Sequence, residues 1–387
     1  MGAFLTRRRL LVAIALAVVA TAAVVLAIAL AGGGGDSAPA TETSASVDPA
    51  PVASPSDSEL DDLVNGVILA GFEGTDPGSE IIGEVTDHQL GGVLVGSDNW
   101  AGKGPGEKLL GAIRDAGSTD DRLPPLIAVA QEGGPYRVLE DLPPEEREVE
   151  IGKTADPEAA ATWMGDSAKA LRDVGFDLDL APVADVATLD SPIADRAFSD
   201  DADIAAQMTA AAVRACADEG IACAPAHFPG LGGANQSTDI GPASVGIDAA
   251  TLAGRDLLPF RAAFDAGAPA VVISSAFYTA YDPVTPASLT PAITTNLLRD
   301  EEGFEGVAIS DDLSGGAIEA VNTPADAAVE AIGAGIDLVR VTDPGDVDDV
   351  RKALKQAIDD GTLGVERLAE AADRVEDLKK SLADEGK

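Results

Sequence analysis

The sequence predicts an α/β fold, a TIM (β/α)8 barrel, and three observations support this prediction. Eight short apolar runs recur along the chain beyond residue 59, and amphipathic helical patterns lie between most of them. The runs are continuous rather than alternating, which is typical of parallel strands buried on both faces. Polar residues gather where several of these runs end, and a barrel carries its active site at that end of its strands.

The eight predicted strands are closed by Gly, Pro or polar residues. They begin near Asn65, Gly91, Pro124, Phe176, Ile221, Pro269, Gly306 and Gly335. Several intervening helical patterns end in glycine, a common helix C-cap. A doubly wound open sheet is the alternative fold, but the Gly-rich phosphate-binding fingerprint does not follow the first predicted strand.

The first part of the chain differs in composition from the rest. Residues 10–31 form an uncharged apolar run that is long enough to cross a bilayer as a helix. Three arginines precede it, so residues 1–9 are predicted to stay in the cytoplasm and the rest to be exported. Residues 32–58 read as a flexible linker. We therefore expect a single-pass membrane protein whose extracytoplasmic domain spans residues 59–387; cleavage of the apolar run would make it a secreted protein.

Composition excludes some classes of function. The chain has 26 basic and 66 acidic residues and a formal net charge of −40, which argues against nucleic-acid binding. Two cysteines and two histidines form no recognisable ligand spacing, so no metal or organic cofactor is expected. Outside the cytoplasm, Cys216 and Cys223 could form a disulfide from a helix end to the next strand, or remain buried thiols.

Several segments carry a resemblance to a known family. The segment LLRDEEGFEGVAISDDLS, Leu297 to Ser314, resembles the nucleophile signature of glycoside hydrolase family 3. The segments PLIAVAQEGG, LAPVADV, IADRAFSDD and HFPGLG resemble its bacterial β-N-acetylglucosaminidase subgroup in the same order. This resemblance implies a TIM barrel and a carbohydrate substrate, cleaved at β-linked N-acetylglucosamine of peptidoglycan-type fragments.

By this resemblance Asp311 is the catalytic nucleophile. Retaining glycosidases need a carboxylate that forms a glycosyl-enzyme, and the end of a barrel strand is a suitable place for it. A helix cap is the alternative role for Asp311. The resemblance also places Arg196 and His227 in the lining of the sugar site. Glu132 of the QEGG segment is retained and is predicted to bind substrate with them.

Structural roles are the alternatives for two of these residues. His227 could be a hydrogen-bonded core histidine at a strand end. Arg196 could instead form a salt bridge with a neighbouring acid such as Asp195 or Asp185.

The loop after the fifth predicted strand departs from the family pattern. The subgroup reads KHFPGHG, four residues and then DSH, whose last histidine donates the proton. Here Asp239 stands at the position of the proton donor, and Ser237 replaces the aspartate that orients it. Ala226 and Leu231 replace the lysine and the second histidine of the first motif.

Three further positions have lost polar side chains that the family carries. Ala130 stands for an aspartate, Pro135 for an arginine, and Ser275 for a histidine after the sixth strand. The chain is therefore predicted to be a β-N-acetylhexosaminidase-like glycosidase with Asp239 as a replacement acid. An inactive family member with a glycan-binding or scaffolding role at the cell envelope, and a glycosidase for another sugar, are the alternatives.

Overall fold

A computed structural model describes residues 55–119 and 122–385 of the chain. The predicted transmembrane helix, residues 10–31, and the linker up to residue 54 lie outside these residues. Within the part that the structure describes, no helix is both long enough and apolar enough to cross a membrane.

The described residues contain eight strands that pair in parallel around a ring. They are β1 (Ile68–Ala70), β2 (Gly92–Leu94), β3 (Leu126–Val129), β4 (Leu178–Asp179), β5 (Ala222–Cys223), β7 (Ala270–Ile273), β10 (Val307–Ser310) and β11 (Val339–Val341). A second sheet contains β6 (Ser244–Val245), β8 (Phe277–Tyr278) and β9 (Asp282–Pro286).

The pairing pattern closes the ring. Six strands follow the order β11-β1-β2-β3-β4-β5, and β7 pairs with β10. A parallel bridge between Phe228 and Ile273 joins the continuation of β5 to β7, and one between Ile309 and Leu338 joins β10 to β11. Each of the eight predicted apolar runs contains one of these strands. The α/β fold with parallel strands is therefore confirmed, and its closed ring is TIM-barrel-like.

Helices connect the strands and cover them from outside. They are α1 (Asp57–Gly66), α2 (Ile81–Asp87), α3 (Lys103–Gly117), α4 (Glu148–Gly152), α5 (Pro157–Val174), α6 (Ala202–Asp218), α7 (Ala249–Thr251), α8 (Leu257–Asp265), α9 (Gly316–Glu319), α10 (Pro324–Ala334), α11 (Pro344–Asp359) and α12 (Val365–Glu385). Two segments are π-helical: Leu252–Asp256 precedes β7 along the chain, and Ala292–Glu301 follows it.

The bounds of α5 illustrate how local sequence sets these helices. The Asp156 side chain accepts a hydrogen bond from the backbone N–H of Glu158, and Pro157 occupies the first turn. Both features favour a helix start. Gly175 ends the helix with a φ of 109°, a left-handed conformation that glycine adopts without steric cost.

The barrel has an inner and an outer apolar layer. Alternate strand residues such as Leu126, Val272 and Ile309 fill the interior, where Val375 and Leu378 of α12 join them. The other strand residues pack against the helices in a larger cluster. Because both faces of each strand are buried, the apolar runs are continuous rather than alternating.

A disulfide and a charge cluster reinforce the end of the barrel where the strands begin. Cys216 near the end of α6 is bonded to Cys223 in β5, which settles the alternative between a bridge and two thiols. Asp337, just before β11, is fully buried. Its carboxylate forms ion pairs with three arginines and accepts a hydrogen bond from the Ala308 N–H at 2.9 Å. The arginines are Arg299 at 2.6 Å, Arg367 at 2.7 Å and Arg374 at 3.0 Å.

Candidate active site

Asp311 lies at the mouth of the barrel, directly after β10. Its backbone N–H donates to the Ile273 carbonyl at 2.8 Å, which continues the pairing of β10 with β7. The side chain follows the alternation of Ile309 into the barrel interior, and the residue is only 7% exposed. Because parallel strands all end on one side, this position brings Asp311 towards the loops that follow β3, β4 and β5.

Three groups surround the Asp311 carboxylate. Oδ1 accepts a hydrogen bond from the Asp312 N–H at 2.9 Å and faces Arg340 Nη1 at 3.6 Å. Oδ2 accepts only a long hydrogen bond from Thr238 Oγ1 at 3.4 Å. Oδ1 is therefore held more firmly than Oδ2, and the loop that contains Thr238 and Asp239 reaches this carboxylate.

Glu132 and Arg196 form a bidentate ion pair at the mouth. Arg196 Nε and Nη2 each donate to one Glu132 carboxylate oxygen at 2.7 Å. Burial would lower the pKa of Arg196, but the charge and hydrogen bonds of Glu132 outweigh it and raise this pKa. The alternative role of Arg196, a salt bridge, is therefore present, but its partner is Glu132 rather than Asp195 or Asp185. Asp195 accepts a hydrogen bond from the Tyr136 hydroxyl at 2.8 Å.

His227 is held by a buried carboxylate that the sequence did not assign to it. His227 Nδ1 lies 2.9 Å from Asp185 Oδ2. Asp185 Oδ1 accepts from the N–H groups of His227 at 3.4 Å and Leu231 at 2.5 Å. Burial acts to lower the pKa of His227, but the hydrogen bond and charge of Asp185 raise it overall. The charges of Arg196 and Asp311 also act on this ring, so the three residues share one site.

Asp239 lies at the exposed rim of the mouth. Ser237 Oγ donates to Asp239 Oδ2 at 3.0 Å, and the Asp239 N–H donates to the same hydroxyl at 3.2 Å. The charge of Asp239 contributes to the raised pKa of Arg196, so it lies within electrostatic reach of that guanidinium. The backbone of its loop is fixed by a hydrogen bond from the Ala317 N–H to the Thr238 carbonyl at 3.0 Å.

Four positions that the sequence analysis expects to depart from the family pattern carry small or apolar side chains, and three of them are buried. Ala226 belongs to the interior cluster, and Ala130 packs against it. Leu231 is 1% exposed. Ser275 is also buried, and its Oγ has no hydrogen-bond partner among the described residues. Of these four positions, only Ser275 carries a polar side chain.

Two buried acids near the mouth were missed by the sequence analysis. Glu148 Oε1 accepts from the Val183 N–H at 2.8 Å, and Asp179 Oδ1 accepts from the Gln131 N–H at 2.9 Å. Burial raises the pKa of both carboxyls well above the usual range, which favours their neutral forms. No local pattern marks them, because each partner comes from a distant segment.

Arg340 is a further missed residue, and here a signal existed. It is the one charged side chain inside the apolar strand segment LVRV, and β11 places it at the mouth.

Among the described residues, no group of three or more His, Cys, Asp or Glu side chains is arranged to hold a metal ion.

Comparisons with known proteins bear on the family and on the fold. The family described as "Glycosyl hydrolase family 3 N terminal domain" matches residues 60–378. A beta-hexosaminidase of Stenotrophomonas maltophilia (strain K279a) is 32% identical over 301 residues, which are 75% of this chain and 87% of that protein.

Two solved structures share the fold. A family 3 beta-N-acetylglucosaminidase from Paenibacillus sp. str. FPU-7 has a TM-score of 0.79 and 27% identity and covers 84% of this chain. The match spans only 62% of that structure. A beta-N-acetylhexosaminidase from Beutenbergia cavernae DSM 12333 has a TM-score of 0.72 and 29% identity, and the match covers 83% of this chain and 98% of that one.

Proposed function

Because the chain belongs to glycosyl hydrolase family 3, we propose that it is a retaining β-N-acetylhexosaminidase-like glycosidase. Its proposed substrate is β-linked N-acetylglucosamine in cell-wall-derived glycans. The contact of 3.4 Å between Thr238 Oγ1 and Asp311 Oδ2 carries this proposal. It brings the loop of the replacement acid, Asp239, to the nucleophile. The names of the similar proteins support the same reaction class.

In the proposed mechanism, Asp311 attacks the anomeric carbon through Oδ2. Oδ1 is held by the Asp312 N–H and by Arg340, whereas a substrate could displace the long Thr238 contact from Oδ2. The bond to the glycosidic oxygen breaks as that oxygen takes a proton from Asp239. Water, deprotonated by Asp239, then attacks the glycosyl-enzyme ester and restores the Asp311 carboxylate.

The proposed replacement of histidine by aspartate as proton donor should change the pH dependence of the activity. A carboxylic acid takes the place of an imidazolium, so we expect the activity to favour acidic pH. Ser237 orients Asp239 through a neutral hydroxyl rather than through a carboxylate. We therefore expect slower protonation of the leaving group than in enzymes with the Asp–His arrangement.

A second candidate function is glycan binding without hydrolysis. One observation favours it: the polar side chains of the mouth are largely paired with each other. Glu132 pairs with Arg196, Asp185 pairs with His227, and the Thr238 loop covers Asp311. In this candidate, the domain would serve as a glycan-binding or scaffolding module at the cell envelope.

We propose that the domain works outside the cytoplasm, tethered through residues 10–31 or released after cleavage. The disulfide between Cys216 and Cys223 supports an oxidising compartment. Membrane fractionation and protease treatment of intact cells test this proposal. Protection of the domain from external protease in intact cells would contradict it.

Hydrolysis of a chromogenic β-N-acetylglucosaminide from about pH 4 to 8 tests the proposed activity. We expect turnover by the wild type, its loss in Asp311→Asn, and a roughly 10²-fold or greater decrease in Asp239→Asn. Asp190→Asn is the matched control, because Asp190 is exposed on the neighbouring loop after β4. Saturable glycan binding without turnover by folded protein would favour the second candidate instead.

A further inference from the structure

We propose that Arg340 makes this site prefer a sugar that bears a carboxylate, an inference that rests on the proposed function and names its substrate class. In β11, Val339 and Val341 belong to the outer apolar layer, whereas Leu338 belongs to the barrel interior. Arg340 follows the alternation of Leu338 and therefore points inward. It does so at the mouth, where its Nη1 lies 3.6 Å from Asp311 Oδ1.

The protein leaves the Arg340 guanidinium only partly paired. The 3.6 Å contact with Asp311 exceeds hydrogen-bond distance. Its Nε is buried and has no hydrogen-bond partner among the described residues. Arg196 at the same mouth, in contrast, places two donors on Glu132 at 2.7 Å each. Buried donors are normally satisfied, so Arg340 carries binding capacity that the surrounding side chains do not use.

The unused hydrogen-bond donors of the Arg340 guanidinium favour a carboxylate ligand. A guanidinium presents its N–H groups as a planar fork that matches the two oxygens of a carboxylate. The chain has a net charge of −40, and in the proposed mechanism Asp311 attacks the anomeric carbon. An acidic sugar would be repelled here unless a cation lay between the two negative charges. Arg340 occupies a position in contact with Asp311 that provides this cation.

The chain also lacks polar groups of the family pattern that would bind a neutral sugar. Ala130 and Ala226 present methyl groups to the barrel interior. Both replace polar residues of the family pattern, and Pro135 replaces a third. Neutral hydroxyls therefore have fewer partners, while the cation at Arg340 offers a strong one to a carboxylate. We infer that recognition at this mouth depends on charge more than on hydroxyl contacts.

Titration calorimetry with two pairs of sugars tests this inference without requiring turnover. D-glucuronate differs from D-glucose by its carboxylate at C6, and N-acetylmuramate differs from N-acetylglucosamine by a lactyl carboxylate at O3. In at least one pair, we expect the acid to bind about tenfold more tightly than its neutral partner. This preference should weaken as ionic strength rises.

Variants separate Arg340 from general charge effects. Arg340→Gln should abolish the preference for the acid, and Arg340→Lys should retain part of it, because lysine keeps the charge but not the fork. Arg214→Gln is the control: it removes the same charge from an exposed position on α6 and should leave the preference unchanged. Unfolding curves establish that each variant is folded.

The outcomes distinguish this inference from the proposed function. Equal binding of acid and neutral sugars, with Asp311-dependent hydrolysis of the neutral chromogenic substrate, would overturn the role of Arg340 and leave the glycosidase proposal standing. A preference for the acid that Arg340→Gln abolishes would support the inference even without hydrolysis. Absence of binding to all four sugars would overturn it.

Discussion

The two ends of the barrel each bury an aspartate beside arginine, but they pair it differently. At the end where strands begin, Asp337 has three arginine partners and one backbone N–H, all within 3.0 Å. At the mouth, Asp311 also has one backbone hydrogen bond, from the Asp312 N–H at 2.9 Å, but its other contacts are looser. Arg340 lies 3.6 Å away, and the hydrogen bond from Thr238 is 3.4 Å long. A fully paired buried carboxylate fixes the structure, whereas an incompletely paired one keeps an oxygen for a ligand.

One strand links the two arrangements. Asp337 lies two residues before β11, and Arg340 lies within it. A single short segment therefore contributes the central charge of one end and a cation of the other. We therefore expect substitutions of Asp337 and its partners to change mainly the stability of the protein. Substitutions at the mouth, around Asp311, should change mainly its activity.

The largest effect is expected for Asp311→Asn. Removing the nucleophile should lower kcat/KM roughly 10⁴-fold, equivalent to about 5 kcal/mol of transition-state stabilisation. The free energy of unfolding should change by less than about 1 kcal/mol, because the carboxylate is weakly paired. Chromogenic assays and urea unfolding measure the two quantities. A large loss of stability would contradict the conclusion that the Asp311 carboxylate is weakly paired.

Asp337→Asn should have the opposite profile. It leaves three half-buried arginines without their counter-ion and should lower the free energy of unfolding by about 3–5 kcal/mol. The kcat of the protein that remains folded should stay close to that of the wild type. Asp300→Asn is the control, since Asp300 is exposed on the same π-helical segment as Arg299. Equal stability of the two variants would contradict the structural role of Asp337.

Removal of the disulfide should have a smaller effect at the same end of the barrel. The double variant Cys216→Ser, Cys223→Ser should lose about 2–4 kcal/mol of stability, because the link no longer restricts the unfolded chain. Urea unfolding of the variant and of the reduced wild type should give similar midpoints. If reduction leaves the wild-type midpoint unchanged, the bond contributes no stability.

The smallest effect concerns His227 and its pH dependence. Asp185 raises the pKa of His227 in the folded state, so protonation of the ring stabilises the fold. This contribution is complete below the ordinary histidine pKa of about 6.5 and is lost as pH rises through the raised value. The stability difference between wild type and His227→Gln should therefore be larger at acidic than at alkaline pH. A constant difference would contradict the charge coupling with Asp185.

The strands of the barrel were predictable because each is a continuous apolar run closed by Gly, Pro or polar residues. The second sheet was not, since Ser244–Val245 and Phe277–Tyr278 are two residues long and carry no periodic signal. Register and closure depend on pairings between segments that are distant in sequence, as in the bridge from Phe228 to Ile273. No local pattern encodes them.

The candidate site was predictable by motif but not by pairing. The motifs gave Asp311, and the structure places it at the mouth. The sequence suggests a neighbouring acid as the ion-pair partner of Arg196. The partner in the structure is Glu132, which lies 64 residues away along the chain. In a barrel, the ends of all strands converge, so nearness along the chain is a poor guide to contact. Arg340 lay within an apolar run and was overlooked for that reason.

The pairing of β1 with β11 also determines how early during synthesis the barrel can close. Ile68 lies opposite Val339, so the first strand waits for the last before the ring can close. Val375 and Leu378 of α12 complete the interior later still. A chain emerging from the ribosome holds its inner apolar surface open until its final segments are synthesised. In the proposed export, the chain would therefore cross the membrane before its ring closes, and the barrel would fold outside the cytoplasm.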